Sequence, residues 1–314
     1  MKIVVTGALG HIGSKLIRVL PEQFSNVEIT MVDNLLVQRY CSLFNLPSTA
    51  KYRFIEDDIL KMDLEALFKG ASAVVHLAAI TNAASSFDHP ELVEKVNYEA
   101  TTMVGKACAK LNVPLIYLST TSVYGTAEKV VDENCRPDEL KPQSPYADSK
   151  LRGEQYLTML GKEQGLRFVT CRFGTIFGTS IGMRFHTAVN KFCWQAVLGE
   201  PITVWTTAYD QKRPYLDLDD GVNAICMIIK NELYDREIYN VLSANLTVRD
   251  IVETIKTSIP NVTVKFVDTK IMNQLSYEVS IAKFAKKGFV AKGNPTNGIR
   301  ETIKLLKGSQ SLST

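Results

Sequence analysis

The chain has 314 residues, of which 46% are hydrophobic and 22% charged, and its formal net charge is +3. This length and composition are typical of a globular protein with one α/β domain, or one such domain with a smaller lobe. The small, dispersed charge does not predict a nucleic-acid partner, and we expect neither a membrane span nor a signal peptide.

The first predicted element is a strand followed by a glycine turn and a helix. Residues 3–5 form an apolar run typical of a buried parallel strand, and residues 14–20 have helical periodicity. Between them lie Gly7, Gly10 and Gly13, spaced three residues apart. This pattern places backbone N–H groups and the positive end of a helix where a pyrophosphate can bind.

A second strand, residues 27–32, ends in Asp33, twenty residues after Gly13. An acidic side chain at this point can accept hydrogen bonds from the hydroxyls of a ribose. Residues 1–34 are therefore predicted to form a dinucleotide site.

Two further strands follow, at residues 52–55 and 73–79, with a short helix at residues 63–69 between them. After the first of these strands, Asp58 could accept a hydrogen bond from an adenine amino group, or could be a solvated loop acid. The later strand ends in small residues, which let a ligand approach the backbone. His76 within it is interpreted as a packed core histidine.

A long helix is predicted over residues 92–111, and a fifth strand over residues 115–118. Four hydroxyl residues, 119–122, come next. They could form a simple Ser/Thr-rich turn, but their position at the carboxyl end of a central strand favours a substrate-facing role.

The next helix, residues 146–161, carries Tyr146 and Lys150 on the same face because they are four residues apart. An ammonium beside a phenol favours phenolate, which lowers the pKa of the tyrosine toward neutrality and makes it a usable acid/base. Thr120 could bridge this tyrosine and a substrate. By itself the spacing is weak evidence, because it occurs by chance in many helices.

A sixth strand at residues 168–173 completes an alternation of strands and helices that predicts an α/β fold, a Rossmann-like doubly wound parallel sheet. The pattern loosens beyond Gly178, which predicts a smaller C-terminal α/β substrate lobe. We expect residues 1–175 to form the cofactor domain, with a returning segment near residues 205–240. Residues 176–314 should be mainly the lobe. Its predicted elements are helices at 185–198, 219–230 and 247–258 and strands at 202–205, 239–241 and 262–266.

Two arginines in the C-terminal part of the chain are candidates for substrate binding. Arg184 and Arg213 could hold a phosphorylated substrate, although each could equally be part of a surface ion pair. The six cysteines and four histidines lack the spacing of a metal site or a disulfide framework. We therefore expect no metal, reduced thiols and a cytoplasmic location.

Together these motifs resemble the extended short-chain dehydrogenase/reductase family, specifically its nucleotide-sugar epimerases and dehydratases of the UDP-glucose 4-epimerase type. The resemblance covers nearly the whole chain and is strongest over residues 1–220. It is carried by residues 7–13, 33–35, 58–59 and 76–79, by Asn97, by residues 119–125, by Tyr146 with Lys150, and by residues 213–215.

The resemblance implies NAD as the cofactor. Asp33 has no neighbouring arginine in the sequence, which favours NAD because a 2′-phosphate would be repelled there. The cofactor-binding residues expected from the glycine turn and from the resemblance are Gly7, Gly10, His11, Ile12, Gly13, Asp33, Asn34, Asp58, Ile59, Leu77, Ala78, Ala79, Thr81, Asn97, Tyr146 and Lys150.

The resemblance also implies catalytic roles. Tyr146 matches the acid/base, Thr120 its partner hydroxyl, and Lys150 the residue that holds the cofactor ribose and keeps the tyrosine acidic. Arg213 matches an arginine that clamps the diphosphate of a nucleoside-diphosphate sugar. The expected substrate-binding residues are Thr121, Ser122, Thr175, Arg184, His186 and Arg213.

Departures from the family pattern narrow the range of reactions that we expect this chain to catalyse. Dehydratases carry Asp and Glu where this chain has Thr121 and Ser122, so dehydration is not expected. Decarboxylases have glutamate, and relatives of fucose synthase have cysteine, at the position of Ser122. Thr175 replaces the usual substrate-binding asparagine. Lys270 and Asn273 stand where Arg and Asp are usual, which leaves the nucleotide base open.

The leading hypothesis is an NAD-dependent nucleotide-sugar epimerase acting at C4 through a transient 4-keto sugar. The alternatives are an NAD(P)-dependent 4-keto-sugar reductase, which would use the same residues, and a non-catalytic dinucleotide sensor. The resemblance also implies a homodimer formed through the helices at 92–111 and 146–161.

Overall fold

The computed structural model describes residues 1–125, 129–268 and 276–309. Lys270 and Asn273 lie outside these described residues. Within the described ranges, no helix is long and apolar enough to cross a membrane.

Strands and helices alternate along the first half of the chain, and most strands of the second half are shorter. The strands are β1 (Lys2–Thr6), β2 (Glu28–Asp33), β3 (Lys51–Glu56), β4 (Ala73–His76), β5 (Leu115–Thr120), β6 (Val130–Val131), β7 (Phe168–Phe173), β8 (Thr175–Phe177), β9 (Ile202–Trp205), β10 (Arg213–Asp217), β11 (Ile238–Val241), β12 (Ala244–Leu246), β13 (Val264–Val267) and β14 (Glu278–Val279). The helices are α1 (His11–Gln23), α2 (Leu64–Phe68), α3 (Pro90–Val93), α4 (Ala100–Leu111), α5 (Pro145–Glu163), α6 (Ala188–Val197), α7 (Leu218–Lys230), α8 (Val248–Ser258), α9 (Ala282–Ala285) and α10 (Pro295–Leu306).

Seven parallel strands form the central sheet, in the order β11-β7-β5-β4-β1-β2-β3. The strand order reverses between β1 and β4, and a crevice forms at the carboxyl ends of strands at such a reversal. The central strands β4, β5 and β7 are buried along their whole length, which explains their apolar sequences. The predicted Rossmann-like doubly wound sheet is confirmed.

Each face of the sheet is covered by helices. Residues of α1 and α7, among them Leu16 and Ile228, belong to the core on one face. Residues of α2, α4 and α5, among them Phe68 and Leu157, belong to the core on the other face. The sheet is therefore buried on both sides, and a ligand can reach it only at the ends of its strands.

The C-terminal part of the chain contributes to two places. Helices α6, α8 and α10 pack around a separate apolar cluster that includes Phe192, Ile251 and Ile303. In contrast, β11 pairs with β7 in the central sheet, and α7 packs on α1. The division into residues 1–175 and 176–314 stays a prediction.

Several elements differ from the predicted ones at their ends. Strand β4 ends at His76, because residue 77 onward leaves the sheet to line a cavity. The long helix contains a π-helical segment, Glu94–Glu99, between α3 and α4. Helix α6 begins only at Ala188, after an irregular loop, rather than at residue 185. His76 is fully buried and hydrogen-bonded to Thr6 at 2.8 Å, as expected for a core histidine.

Candidate active site

A cavity of about 1130 Å³ opens at the carboxyl ends of the central strands. All of the predicted site residues except Asn97 line it. From the cofactor prediction these are Gly7, Gly10, His11, Ile12, Gly13, Asp33, Asn34, Asp58, Ile59, Leu77, Ala78, Ala79 and Thr81. From the catalytic and substrate predictions they are Thr120, Tyr146, Lys150, Thr121, Ser122, Thr175, Arg184, His186 and Arg213.

The glycine turn forms one wall of the cavity. Gly7 has a φ of 66°, and a Cβ there would lie 2.6 Å from the Ala78 nitrogen. A Cβ at Gly13 would lie 2.5 Å from the Gly7 oxygen. The backbone can adopt this turn only because no side chains are present at these positions. It exposes the N-terminal end of α1, where an anion is stabilised.

Two acidic residues follow the strands beside this turn. The Asp33 carboxylate accepts hydrogen bonds of 3.0 Å from the backbone N–H groups of Leu9 and Leu35, which fixes it against the turn. The Asp58 carboxylate accepts one of 3.0 Å from Leu60 N–H. Both acids line the cavity, and a contact between Asp58 and adenine stays a prediction.

Asp33 has no neighbouring arginine in the sequence, but the fold brings Arg39 close enough for its charge to interact with that of Asp33. Leu35 and Gln38 adopt the left-handed conformation, with φ of 52° at each, and turn the chain back toward the cavity. Arg39 therefore lines the cavity. Burial lowers the pKa of Arg39, and the negative charge of Asp33 opposes this larger effect. Neither turn residue is a glycine, so no local pattern in the sequence predicts this return.

Asn97 lies behind the cavity wall and is fully buried. Its side chain accepts a hydrogen bond from Ile80 N–H at 2.8 Å and donates to the Ile80 oxygen at 2.9 Å. It also donates to the Ser149 hydroxyl at 3.2 Å. Asn97 therefore positions the cavity-lining loop at Ile80 and joins it to α5, and its predicted contact with the cofactor stays a prediction.

Helix α5 brings the predicted catalytic pair to the cavity. Ser144 caps the helix by accepting a hydrogen bond of 3.2 Å from Ala147 N–H, and Pro145 suits the first turn. Tyr146 thus enters the cavity from the first turn and Lys150 from the second. The Lys150 ammonium donates a hydrogen bond of 2.9 Å to the Leu118 oxygen.

The predicted lowering of the Tyr146 pKa toward neutrality is wrong in this structure. Burial raises the pKa of Tyr146 above its usual value. The charge of Arg184 and a hydrogen bond donated by the Thr120 hydroxyl act in the opposite direction, toward phenolate. The cation that influences the phenol is therefore Arg184, whereas burial lowers the pKa of Lys150 itself to about 8.

The hydroxyl residues after β5 have different surroundings. Thr120 accepts a hydrogen bond of 3.1 Å from Ser122 N–H, which leaves its own hydrogen for Tyr146. Thr121 donates to the Phe173 oxygen at 3.3 Å. Ser119 also lines the cavity, and its buried hydroxyl has no hydrogen-bond partner among the described residues. Ser119 is not among the predicted site residues, although its place in the run of hydroxyl residues after β5 indicates that it faces the same site.

Three basic residues of the second half of the chain line the opposite side. The Arg184 guanidinium donates to the Thr81 hydroxyl, while its buried Nε has no partner within the described part of the chain. The pKa of His186 is lowered to about 4 by burial and by the charges of Arg184 and Arg39, so His186 is neutral at neutral pH. Arg213 donates to the Gln211 side chain at 2.7 Å.

A short strap, residues 178–182, lies directly on the glycine turn. Its contacts with the turn are His11 Nε2 to the Gly178 oxygen at 3.0 Å, Ser180 Oγ to the His11 oxygen at 2.9 Å, and Gly182 N–H to Ser14 Oγ at 2.9 Å. A Cβ at Gly182 would lie 2.3 Å from the Leu9 oxygen. The loop that carries Arg184 and His186 is therefore anchored to the turn predicted to bind the cofactor.

Comparison with known proteins agrees with this geometry. Residues 3–241 match the model of the NAD dependent epimerase/dehydratase family. The chain is 30% identical over 239 residues to an uncharacterized UDP-glucose epimerase, YtcB, of Bacillus subtilis, covering 73% of this chain and 72% of the relative. It is 27% identical to a trifunctional UDP-glucose 4,6-dehydratase/epimerase/reductase of Arabidopsis thaliana, covering 96% of this chain but only 46% of the relative.

Two solved structures are similar over nearly their whole length. One is a UDP-N-acetylglucosamine 4-epimerase from Methanobrevibacter ruminantium, with a TM-score of 0.86, 25% identity, and coverage of 98% of this chain and 99% of that one. The other is a UDP-glucuronic acid 4-epimerase from Bacillus cereus in complex with UDP-glucuronic acid and NAD, with a TM-score of 0.87, 25% identity, and coverage of 98% and 100%.

These similarities confirm the predicted resemblance, the NAD cofactor and the nucleotide-sugar epimerase activity. The chain belongs to the NAD dependent epimerase/dehydratase family and is an NAD-dependent nucleotide-sugar epimerase.

Proposed function

We propose that the enzyme inverts C4 of a hexose linked to uridine diphosphate. The observation that carries this proposal is the meeting of the Tyr146 phenol, the Thr120 hydroxyl and the Arg184 guanidinium in one cavity beside the glycine turn. Uridine and C4 are supported by the names of the similar proteins, which act on UDP-linked sugars and include two 4-epimerases.

The residues around the glycine turn fit NAD. The turn leaves its backbone open for a diphosphate, because a Cβ at Gly7 or Gly13 would strike neighbouring backbone atoms. The fixed carboxylate of Asp33 is suited to the hydroxyls of the adenosine ribose. Lys150 would hold the second ribose. Bound NAD supplies a hydride acceptor that also returns the hydride.

The acid/base work falls to Tyr146. In the phenolate form it takes the proton of the C4 hydroxyl. In the phenol form it gives the proton back after the 4-keto sugar has rotated in the site. Thr120 donates a hydrogen bond that stabilises the phenolate and orients the hydroxyl. Arg184 adds a positive charge that favours the same state. A phenol buried without these two partners would remain protonated.

Binding of the nucleotide falls to the other side of the cavity. Arg213 is held by Gln211 and lies 5.4 Å from the ring centroid of Tyr277, so its guanidinium is pre-oriented for a diphosphate. His186, being neutral, can accept as well as donate a hydrogen bond there. Ser122, in the turn after β5, and Thr175, at the start of β8, offer hydroxyls to the sugar.

The position of Arg184 favours an acidic sugar over a neutral one. Its charge acts on Tyr146, which works at C4, and C5 with its substituent is the neighbouring ring position. The buried Nε of Arg184 has no partner among the described residues and would gain one from a carboxylate on C5. The similar epimerase from Bacillus cereus is named for UDP-glucuronic acid, and we propose a UDP-uronic acid as the first substrate to test.

The strap favours an epimerase over a keto-sugar reductase. A reductase must release oxidised cofactor in every turnover, whereas an epimerase can retain it. Residues 178–182 close over the glycine turn through several hydrogen bonds, which would slow the exit of a bound dinucleotide. Retained cofactor is therefore the expected state.

We also propose a cytoplasmic homodimer. Helices α3, α4 and α5 form one face that leaves Leu92 and Met159 exposed, at 47% and 36%. A second copy of the same face would cover them. All six cysteines are free, which suits a reducing compartment.

The test begins with freshly purified protein, which is denatured so that any released dinucleotide can be identified. Near-stoichiometric NAD, followed by C4 inversion of UDP-glucuronic acid in preference to UDP-glucose, would support the proposal. Protein without dinucleotide that consumes NADH or NADPH only with a keto-sugar would make it a reductase.

A further inference from the structure

A buried ion pair lies behind the cavity, between α5 and β7. Nε of Arg172 donates to one oxygen of Glu154 at 3.0 Å and Nη2 donates to the other at 2.7 Å. The two side chains are only 2% and 3% exposed. The pair stands apart from the cavity lining, and none of the roles proposed above uses it.

The pair is adjacent to Lys150. Glu154 follows Lys150 by one helical turn on α5, and its charge acts on the Lys150 ammonium. Lys150 is 3% exposed, and its ammonium lies 5.0 Å from the ring centroid of Tyr117 on β5. This ammonium is therefore enclosed on the side away from the cavity.

The groups around Lys150 come from four elements. His76 on β4 has a pKa lowered to about 3 by burial and by the charge of Lys150, so it is uncharged at neutral pH. Tyr117 on β5 is neutral as well, because burial raises its pKa. Glu154 on α5 is the carboxylate whose charge acts on Lys150, and Arg172 on β7 binds that carboxylate from the far side.

The cost of burying charged groups explains why Glu154 is paired with Arg172. A lone ammonium in this position loses its hydration, and burial lowers the pKa of Lys150 to about 8, with Glu154 opposing the shift. A lone buried carboxylate would itself be unstable as an ion. The fork of Arg172 engages both oxygens of Glu154 and fixes their position one turn from Lys150.

We propose that Glu154, held by Arg172, is a positioning residue of the reaction, whose carboxylate keeps Lys150 charged and directed at the floor of the cofactor site. This inference rests on the proposed role of Lys150 in holding the cofactor ribose. It assigns Arg172 the secondary role of supporting Glu154. Neither residue touches the substrate or the reacting atoms.

The test is the pH dependence of NAD affinity, measured by calorimetry on cofactor-depleted protein between about pH 6 and 10. Wild-type protein should lose affinity as the pH rises through about 8, where Lys150 gives up its charge. In Glu154→Gln the midpoint of this loss should move about one unit to lower pH, because the opposing charge is gone. Lys150→Met should bind weakly and without this transition.

Two further variants distinguish an effect of Glu154 on Lys150 from a general effect on the stability of the fold. Glu94→Gln on the same face of the protein removes an exposed ion pair to Arg152 of α5 and should leave the midpoint unchanged. Glu154→Gln with Arg172→Met removes both buried charges, so that no unpaired ion destabilises the fold, and should keep the lowered midpoint. An unchanged midpoint in either Glu154 variant would overturn the inference, whatever the change in melting temperature.

The readout is independent of sugar turnover. If wild-type protein inverted no UDP-sugar while the midpoint still moved in the Glu154 variants, the proposed function would fail and this inference would stand. If C4 inversion occurred and the midpoint did not move, the inference alone would fail.

Discussion

The Lys150 ammonium donates its hydrogen bond to the backbone oxygen of Leu118, 2.9 Å away. It is thus fixed to the end of β5, one residue before the run of hydroxyl residues, 119–122, that is proposed to face the substrate. The charge of Arg184, which lies in the loop before α6, instead acts on the phenol of Tyr146 and lowers its pKa. We therefore propose separate tasks for the two cations, Lys150 at the cofactor site and Arg184 at the acid/base.

Replacement of Arg184 by glutamine should make Tyr146 harder to ionise. The positive charge of Arg184 lowers the pKa of Tyr146 against burial, so its removal raises that pKa. We expect turnover at pH 7 to fall roughly tenfold for each unit of pKa, and the rising limb of the pH–rate profile to move to higher pH. The control is Arg249→Gln, which removes an exposed ion pair with Asp210 outside the cavity. A profile with an unchanged limb would contradict this assignment.

Arg39 should influence the choice between NAD and its 2′-phosphorylated form. It lies near Asp33, which repels a phosphate, and its own charge would attract one. Arg39→Ala should weaken NADP binding by about tenfold more than NAD binding, as measured by the two dissociation constants. Equal weakening of both would show that Arg39 does not face the 2′ position.

The strap should control cofactor retention. Gly182→Ala introduces a Cβ 2.3 Å from the Leu9 oxygen, so the strap must lift from the glycine turn. We expect the purified variant to carry much less NAD and to release it faster in a stopped-flow chase. Gly308→Ala is the control, because nothing lies within 4 Å of a Cβ there. Full retention in Gly182→Ala would argue that the strap does not hold the cofactor in place.

Acid should destabilise the fold through its buried histidines. The pKa of His76 is about 3 in the folded protein, whereas an unfolded histidine binds a proton below about pH 6.5. The unfolded state therefore binds more protons between these values, and stability falls as the pH drops through this window. One such group costs up to about 1.4 kcal/mol per pH unit.

His76→Gln should be less stable than wild type at pH 7, since it disturbs the hydrogen bonds to Thr6 and Thr101. It should nevertheless lose less stability between pH 6.5 and about pH 4.5, as measured by urea unfolding. The exposed His89 provides the control, and His89→Gln should follow the wild-type slope. Equal slopes in all three proteins would show that His76 does not cause the loss of stability in acid.

The sequence predicted the elements whose local pattern agrees with their environment. The buried strands β1, β4 and β5 are continuous apolar runs, and α8 has its cap at Thr247 with Asp250 in the capping box. Helix α10 was missed although Asn294 and Pro295 mark its start, and Ile299 and Ile303 its buried face.

The parts of the site that escaped prediction depend on long-range geometry. Arg39 returns to Asp33 through left-handed residues that are not glycines, and Gly182 is required only because the strap meets Leu9 from 173 positions away. The influence of Arg184 on Tyr146 likewise joins two elements that no local pattern connects. Burial, which raises the pKa of Tyr146, is also a property of the folded chain.

The most direct test of the central claim compares wild-type protein with Tyr146→Phe. Each is incubated with UDP-glucuronic acid, and the C4 epimer is followed by proton NMR while bound NAD is quantified from denatured samples. We expect wild type to approach an equilibrium mixture of epimers, and Tyr146→Phe to retain NAD while losing about 10²- to 10⁴-fold of the rate. Wild-type turnover in Tyr146→Phe, with NAD bound in both proteins, would contradict the assignment of Tyr146 as the acid/base.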